Sequence, residues 1–149
     1  MAAALKYDLT DKHLISVGVI AQMAAIWHLL CIWGGVNWFV FARAPQQIIT
    51  SAAQGTLLAP IATLVVAGLM LACSIFAFSA AGVIRRVPLM KSALVSLSIL
   101  CILRGASALI TLIYTLQWDV WQMVASSVWL YVGLCFAAGS VKQYRRIRI

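Results

Sequence analysis

Four apolar runs, at about Leu14 to Phe41, Leu57 to Ile84, Met90 to Leu116 and Val120 to Ser140, fill most of the chain and decide what it can fold into. A helix needs about 20 mostly apolar residues to cross roughly 30 Å of hydrocarbon, and each run meets that length. Lipid offers the backbone no hydrogen-bond partners, so spans of this length are helices rather than the shorter strands of a barrel. The expected fold is all-α, a four-transmembrane-helix bundle, with residues 1–149 forming one integral membrane domain. Composition agrees, since 64% of the residues are hydrophobic and 9% are charged, more apolar surface than a water-soluble core can hide. The tight link Arg85-Arg86-Val87-Pro88 makes an antiparallel hairpin of the second and third spans. Pro88 fits the first turn of the third helix, where its missing N–H costs little.

The first run also raises the question of a cleaved signal peptide, because Ala42-Arg43-Ala44 lies just beyond it. Its apolar stretch is about twice the length of a signal h-region, and Asp8 and Asp11 dilute the basic start. It is read as a helix of the mature protein.

Short loops rich in Lys and Arg stay on the cytoplasmic side of a membrane. Lys6, Lys12, Arg85, Arg86, Lys91, Lys142, Arg145, Arg146 and Arg148 fall on one side of the expected bundle and Arg43 alone on the other, so both termini are placed in the cytoplasm. Trp33, Trp38, Trp118 and Trp121 then form a belt at the outer interface. The net charge of +8 does not point to nucleic acid, because the basic residues sit beside span ends rather than on a soluble face. Anionic lipid is the expected partner, with Arg85, Arg86, Lys142, Arg145, Arg146 and Arg148 as headgroup contacts.

Arg104 is the exception to this distribution, falling near the middle of the third span. A guanidinium stays charged at any relevant pH, so at that depth it must find a partner, reach an interface or draw water inward. The chain has no Glu, and its three acids, Asp8, Asp11 and Asp119, all lie outside the expected hydrocarbon. Helical spacing puts Ala93, Leu97, Cys101, Ser107, Ala108, Thr111 and Thr115 near the Arg104 face, a small and partly polar stripe suited to a bundle interior. His28, in the first span, falls at a similar depth beside Ala21, Ala24, Ala25, Cys31 and Gly35. The expectation is that His28 and Arg104 face each other, with Thr111 or Ser127 between them, as a site for an anion or other ligand. The plainer alternative is structural for both: His28 donates one hydrogen bond that joins two helices, and Arg104 only stabilises the fold.

Other chemistry is hard to find. Each of the four cysteines, Cys31, Cys73, Cys101 and Cys135, lies in a different span, and there is no C-x-x-C pair, so no metal site is expected. A b-type haem would have to use His28 with Met70 or Met123, because His13 shares a helix with His28, and no cofactor is expected. No acid is available for a Ser/His/acid set and no carboxylate pair for acid–base work, so the chain reads as non-enzymatic. Gly34-Gly35 loosens the end of the first helix, and the segment from Arg43 to Gly55 is expected along the outer interface.

The stretch Phe78-Ser79-Ala80-Ala81-Gly82-Val83-Ile84-Arg85-Arg86-Val87-Pro88-Leu89, with Leu103-Arg104-Gly105, Trp27-His28, Gly34-Gly35 and Trp38, resembles small uncharacterised four-span proteins of proteobacterial membranes. That group is similar in architecture to DoxX-like membrane proteins. The resemblance implies the fold and a bacterial inner-membrane location, and no reaction. Small multidrug transporters and glutathione-handling membrane enzymes are set aside, because the embedded glutamate of the first and the acid-containing helix motif of the second are missing. Three functional readings follow. The favoured one is an accessory, scaffold or assembly subunit that meets a partner membrane protein or its own copy through small-residue faces, Gly68 with Ala72 and Ala77 with Ala81. The others are a small transporter or lipid- or anion-binding protein using Arg104 and His28, and a haem or metal redox protein.

Overall fold

The computed structural model describes residues 7–115 and 120–145, without the side chains of residues 108, 109, 111, 112 and 115. Its elements are all helices: α1 (Leu9–Gly34), α2 (Val36–Phe41), α3 (Gln46–Ala53), α4 (Leu58–Ala80), α5 (Met90–Thr115) and α6 (Val120–Arg145). Four of them, α1, α4, α5 and α6, are long and apolar enough to cross a membrane, which makes this a multi-pass membrane protein. The chain divides into two compact units, one of residues 1–18 with 76–149 and the other of residues 19–75.

In the first unit α1 begins earlier than the apolar run. Asp8 Oδ1 accepts the Asp11 N–H at 2.9 Å, while Asp11 Oδ2 accepts the Asp8 N–H at 3.3 Å, a reciprocal cap that starts the helix at Leu9. Lys142, near the end of α6, bridges both carboxylates and ties the two helix ends together. α5 and α6 run antiparallel in close contact. An added Cβ on Gly105 would stand 2.7 Å from the Leu130 backbone nitrogen, and one on Gly133 would stand 2.9 Å from that of Ile102. Only glycine lets the two backbones approach so closely. Ser98 Oγ crosses the same seam to donate to the Gly133 carbonyl at 3.0 Å.

The α4–α5 connection differs from the sequence expectation. α4 stops at Ala80 instead of running to Ile84, because Gly82 takes a left-handed φ of 75° and the N–H groups of Gly82 and Val83 turn back to the carbonyls of Ser79 and Phe78. Ser79 then pins the linker, donating to the Arg85 carbonyl at 3.1 Å and accepting the Val87 N–H at 3.0 Å. Pro88 lies ahead of α5 rather than in its first turn, which starts at Met90.

In the second unit the expected single span to Phe41 is broken. Gly35 has a φ of 71°, so α1 ends at Gly34 and α2 sets off afresh. Pro45 then leads into α3, whose Ile48 and Ile49 pack on a cluster of Cys31, Phe39 and Ala59 while Gln46, Gln47 and Thr50 stay exposed. Ser51, buried on that face, accepts the Ala59 N–H at 2.8 Å and so joins α3 to the start of α4.

Candidate functional site

Arg104 lies near the middle of α5, about 21 Å along the helix from Met90. The sequence reading turned it into a bundle interior; within its unit the buried stripe of α5 is instead Met90, Leu94, Ser98, Cys101 and Gly105, and Arg104 is exposed one position to the side. Its helical neighbours Leu100 and Leu103 are exposed as well, at 62% and 63%, so the charge emerges from an apolar surface.

The guanidinium is held by two hydroxyls. Nη1 donates to Ser107 Oγ at 2.8 Å and to Ser126 Oγ, across in α6, at 3.5 Å. Ser107 spends its own hydrogen on the Arg104 carbonyl at 2.6 Å, which leaves its lone pairs to receive the guanidinium. Among the described residues these are the contacts of the side chain, and both use Nη1, whereas a guanidinium carries five N–H donors in a planar fork. Nε and Nη2 remain for another acceptor.

The seam fixes which way the side chain leans. Gly105 lies against Leu130, yet Arg104 reaches Ser126, about 6 Å further towards the Val120 end of α6. About 9 Å of helix then separates Ser126 from Val120. The charge is thus carried part of the way from the middle of the span towards the end that bears Trp121, the behaviour of a long basic side chain seeking an interface.

Of the residues expected around Arg104, Ser127 takes another course. It is exposed and donates to the Met123 carbonyl of its own helix at 2.9 Å, so the α6 hydroxyl at the guanidinium belongs to its neighbour Ser126, which is buried. The side chain of Thr111 lies outside the described residues. His28 belongs to the other compact unit, where its Nδ1 donates to the Ala24 carbonyl at 2.7 Å. A carbonyl can only accept, so Nδ1 carries the proton and the bond lies within one helix instead of joining two.

Tyr131 is a residue that the sequence reading misses, although its place near the middle of the fourth apolar run, away from either interface, is a signal. In α6 its hydroxyl lies 2.9 Å from His13 Nδ1 and 2.8 Å from Ser16 Oγ, while Ser16 donates to the His13 carbonyl. The small-residue faces also sort themselves. Ala77 and Ala81 are buried within the chain, whereas Gly68 is exposed with nothing within 4 Å of an added Cβ.

At the basic end Arg85, Arg86 and Arg145 are exposed, whereas Lys142 is held by Asp8 and Asp11 and is 15% exposed. Arg146 and Arg148 lie outside the described residues. The four cysteines are buried, and among the described residues no three His, Cys, Asp or Glu side chains converge as a metal site. Comparison of the chain with protein-family models, with characterised proteins and with solved structures finds no match.

Proposed function

We propose that this protein is a non-enzymatic subunit of a bacterial inner membrane, with both termini in the cytoplasm, that assembles with another membrane protein or a second copy of itself. The observation that carries the reading is Arg104: an exposed guanidinium among exposed leucines in the middle of a span, braced by Ser107 and Ser126 and with donors to spare. A charge on a lipid-facing surface costs about 2.5–3.5 kcal/mol by insertion scales. A carboxylate on a neighbouring helix would remove most of that cost and take the free side of the fork. In the second unit Gly68, open on the α4 surface, separately offers a place where a helix could approach closely.

The same guanidinium supports a second reading, a small transporter or an anion- or lipid-binding protein in which Arg104 holds an anionic group. What favours it is the lean of the side chain towards the Trp121 end, the side from which an anionic headgroup would approach. Native mass spectrometry of protein extracted in mild detergent separates the two. The assembly reading expects a protein partner or dimer on the wild type that is lost in Arg104→Gln and regained in Arg104→Lys. Loss of a small anionic mass instead would transfer the site to the second reading, and an Arg104→Gln spectrum identical to wild type would refute both.

A further inference from the structure

At the basic end of the first unit, away from Arg104, the α4–α5 linker, the first turn of α5 and the end of α6 enclose an open cleft of about 440 Å³. Its wall carries two cations, Arg86 and Lys91, beside the apolar side chains of Val87, Leu89 and Met90. We propose that this cleft is a binding site for the headgroup of one anionic phospholipid, with Arg86 and Lys91 holding the phosphate and Leu89 and Met90 flanking its glycerol and upper acyl chains.

The fold places both cations at the cleft. Lys91 Nζ lies 5.4 Å from the centre of the Tyr144 ring, a cation–π contact that holds the ammonium at the mouth of the cleft. Arg86 sits on the linker that Ser79 fixes from both sides, at the Arg85 carbonyl and the Val87 N–H. Gln143, also in the wall, is 7% exposed and anchored by donation to the Ala80 carbonyl at 3.2 Å, so the side of the cleft formed by α6 is fixed to the end of α4. The neighbouring carboxylates do not compete, because Asp8 and Asp11 are engaged by Lys142. No acidic residue occurs in the first turn of α5, so the positive end of that helix adds to the field.

A lipid suits the cleft better than a free phosphate for a reason of position. The cleft opens where α5 begins and α6 ends, at the level at which headgroups meet the ends of spans, and Leu89 at its edge is 80% exposed. An apolar side chain so placed has acyl chain and glycerol as its natural neighbours, whereas a soluble anion would leave it in water. Purely electrostatic attraction of basic residues to an anionic surface needs no cleft, and that contrast sets the test.

The test is native mass spectrometry of the full chain titrated with phosphatidylglycerol or with phosphatidylcholine, for wild type, the double variant Arg86→Gln/Lys91→Gln, Tyr144→Leu and the control Arg145→Gln. Arg145 is an exposed cation at the same end that does not line the cleft. The first phosphatidylglycerol should bind at least about tenfold more tightly than phosphatidylcholine, lose about that factor in the double variant, lose part of it in Tyr144→Leu and keep it in Arg145→Gln. Equal losses in Arg145→Gln and the double variant would reduce the effect to diffuse charge and overturn the site. Displacement of the lipid by equimolar inorganic phosphate would make the ligand a soluble anion and overturn the lipid assignment. Circular dichroism on each variant confirms that the helices are retained, and because all four altered side chains are at least partly exposed the fold should tolerate them.

Discussion

Arg104 poses a trade between stability and function that a single substitution can expose. An arginine kept only for the fold should cost stability when it is removed. The exposed, half-satisfied guanidinium of this chain should do the opposite, since its two serine contacts recover little of what desolvation takes. Arg104→Leu is therefore expected to stabilise the isolated protomer by up to about 2–3 kcal/mol, measured by denaturant titration in a lipid bicelle, while abolishing any partner or ligand. A destabilised Arg104→Leu protomer would mark the residue as structural. Arg104 itself was legible in the sequence, because a permanent charge among apolar residues with no internal acid stands out on chemistry alone. Its partners were not. Ser126 and Ser127 are adjacent, and which of them faces α5 depends on a helix rotation that the Gly105–Leu130 and Gly133–Ile102 contacts fix.

Among the elements, α5 and α6 are closely fitted, and glycine sets their separation. Gly105→Ala would drive a methyl group into the Leu130 backbone at 2.7 Å, where no side chain can rotate away, and should destabilise by about 1–3 kcal/mol. Gly68→Ala meets nothing within 4 Å and should gain up to about 1 kcal/mol of helix propensity in the isolated protomer. The same denaturant titration compares the two. If Gly68 faces a partner, Gly68→Leu should leave the protomer intact and yet disrupt assembly. The contrast shows how far the sequence could be read. Apolar length located the four long helices, because hydropathy is a property of the run itself. Helix ends are set by other forces: the Asp8–Asp11 cap began α1 before its apolar run, and the left-handed Gly35 and Gly82 ended α1 and α4 before theirs. Small residues on α4 look alike in sequence, yet Ala77 is fully buried and Gly68 is open, a distinction that rests on which side of the helix the rest of the chain covers.

At the scale of the molecule, the basic end of the first unit is closed by charge as well as by packing. Lys142 of α6 sits between Asp8 and Asp11 of the N-terminal turn, residues far apart in sequence, with Leu14 and Gly139 in contact beside them. This is the longest-range polar link among the described residues of the unit, and its dependence on pH follows from Asp8. The hydrogen bond from Lys142, then the one from the Asp11 backbone, hold the Asp8 carboxyl below its ordinary value of 3.8. A carboxylate whose pKa is lowered by folding lends stability that is fully present above 3.8 and disappears as the pH falls through the lower, folded value. The contribution of Asp8 to thermal stability in detergent should therefore hold down to the carboxylate range and be lost below it, giving an acid limb in the melting temperature. Lys142→Met should remove the cause, flattening that acid limb, and should also leave Asp11, which is buried, without its cation, lowering the melting temperature at neutral pH. Asp8→Asn should weaken the acid limb with a smaller loss at neutral pH, because Asp8 is 57% exposed and its asparagine can still cap α1. An acid limb unchanged in Lys142→Met would place the titration elsewhere and leave the contact between α1 and α6 to packing and the hydrogen bonds of Tyr131.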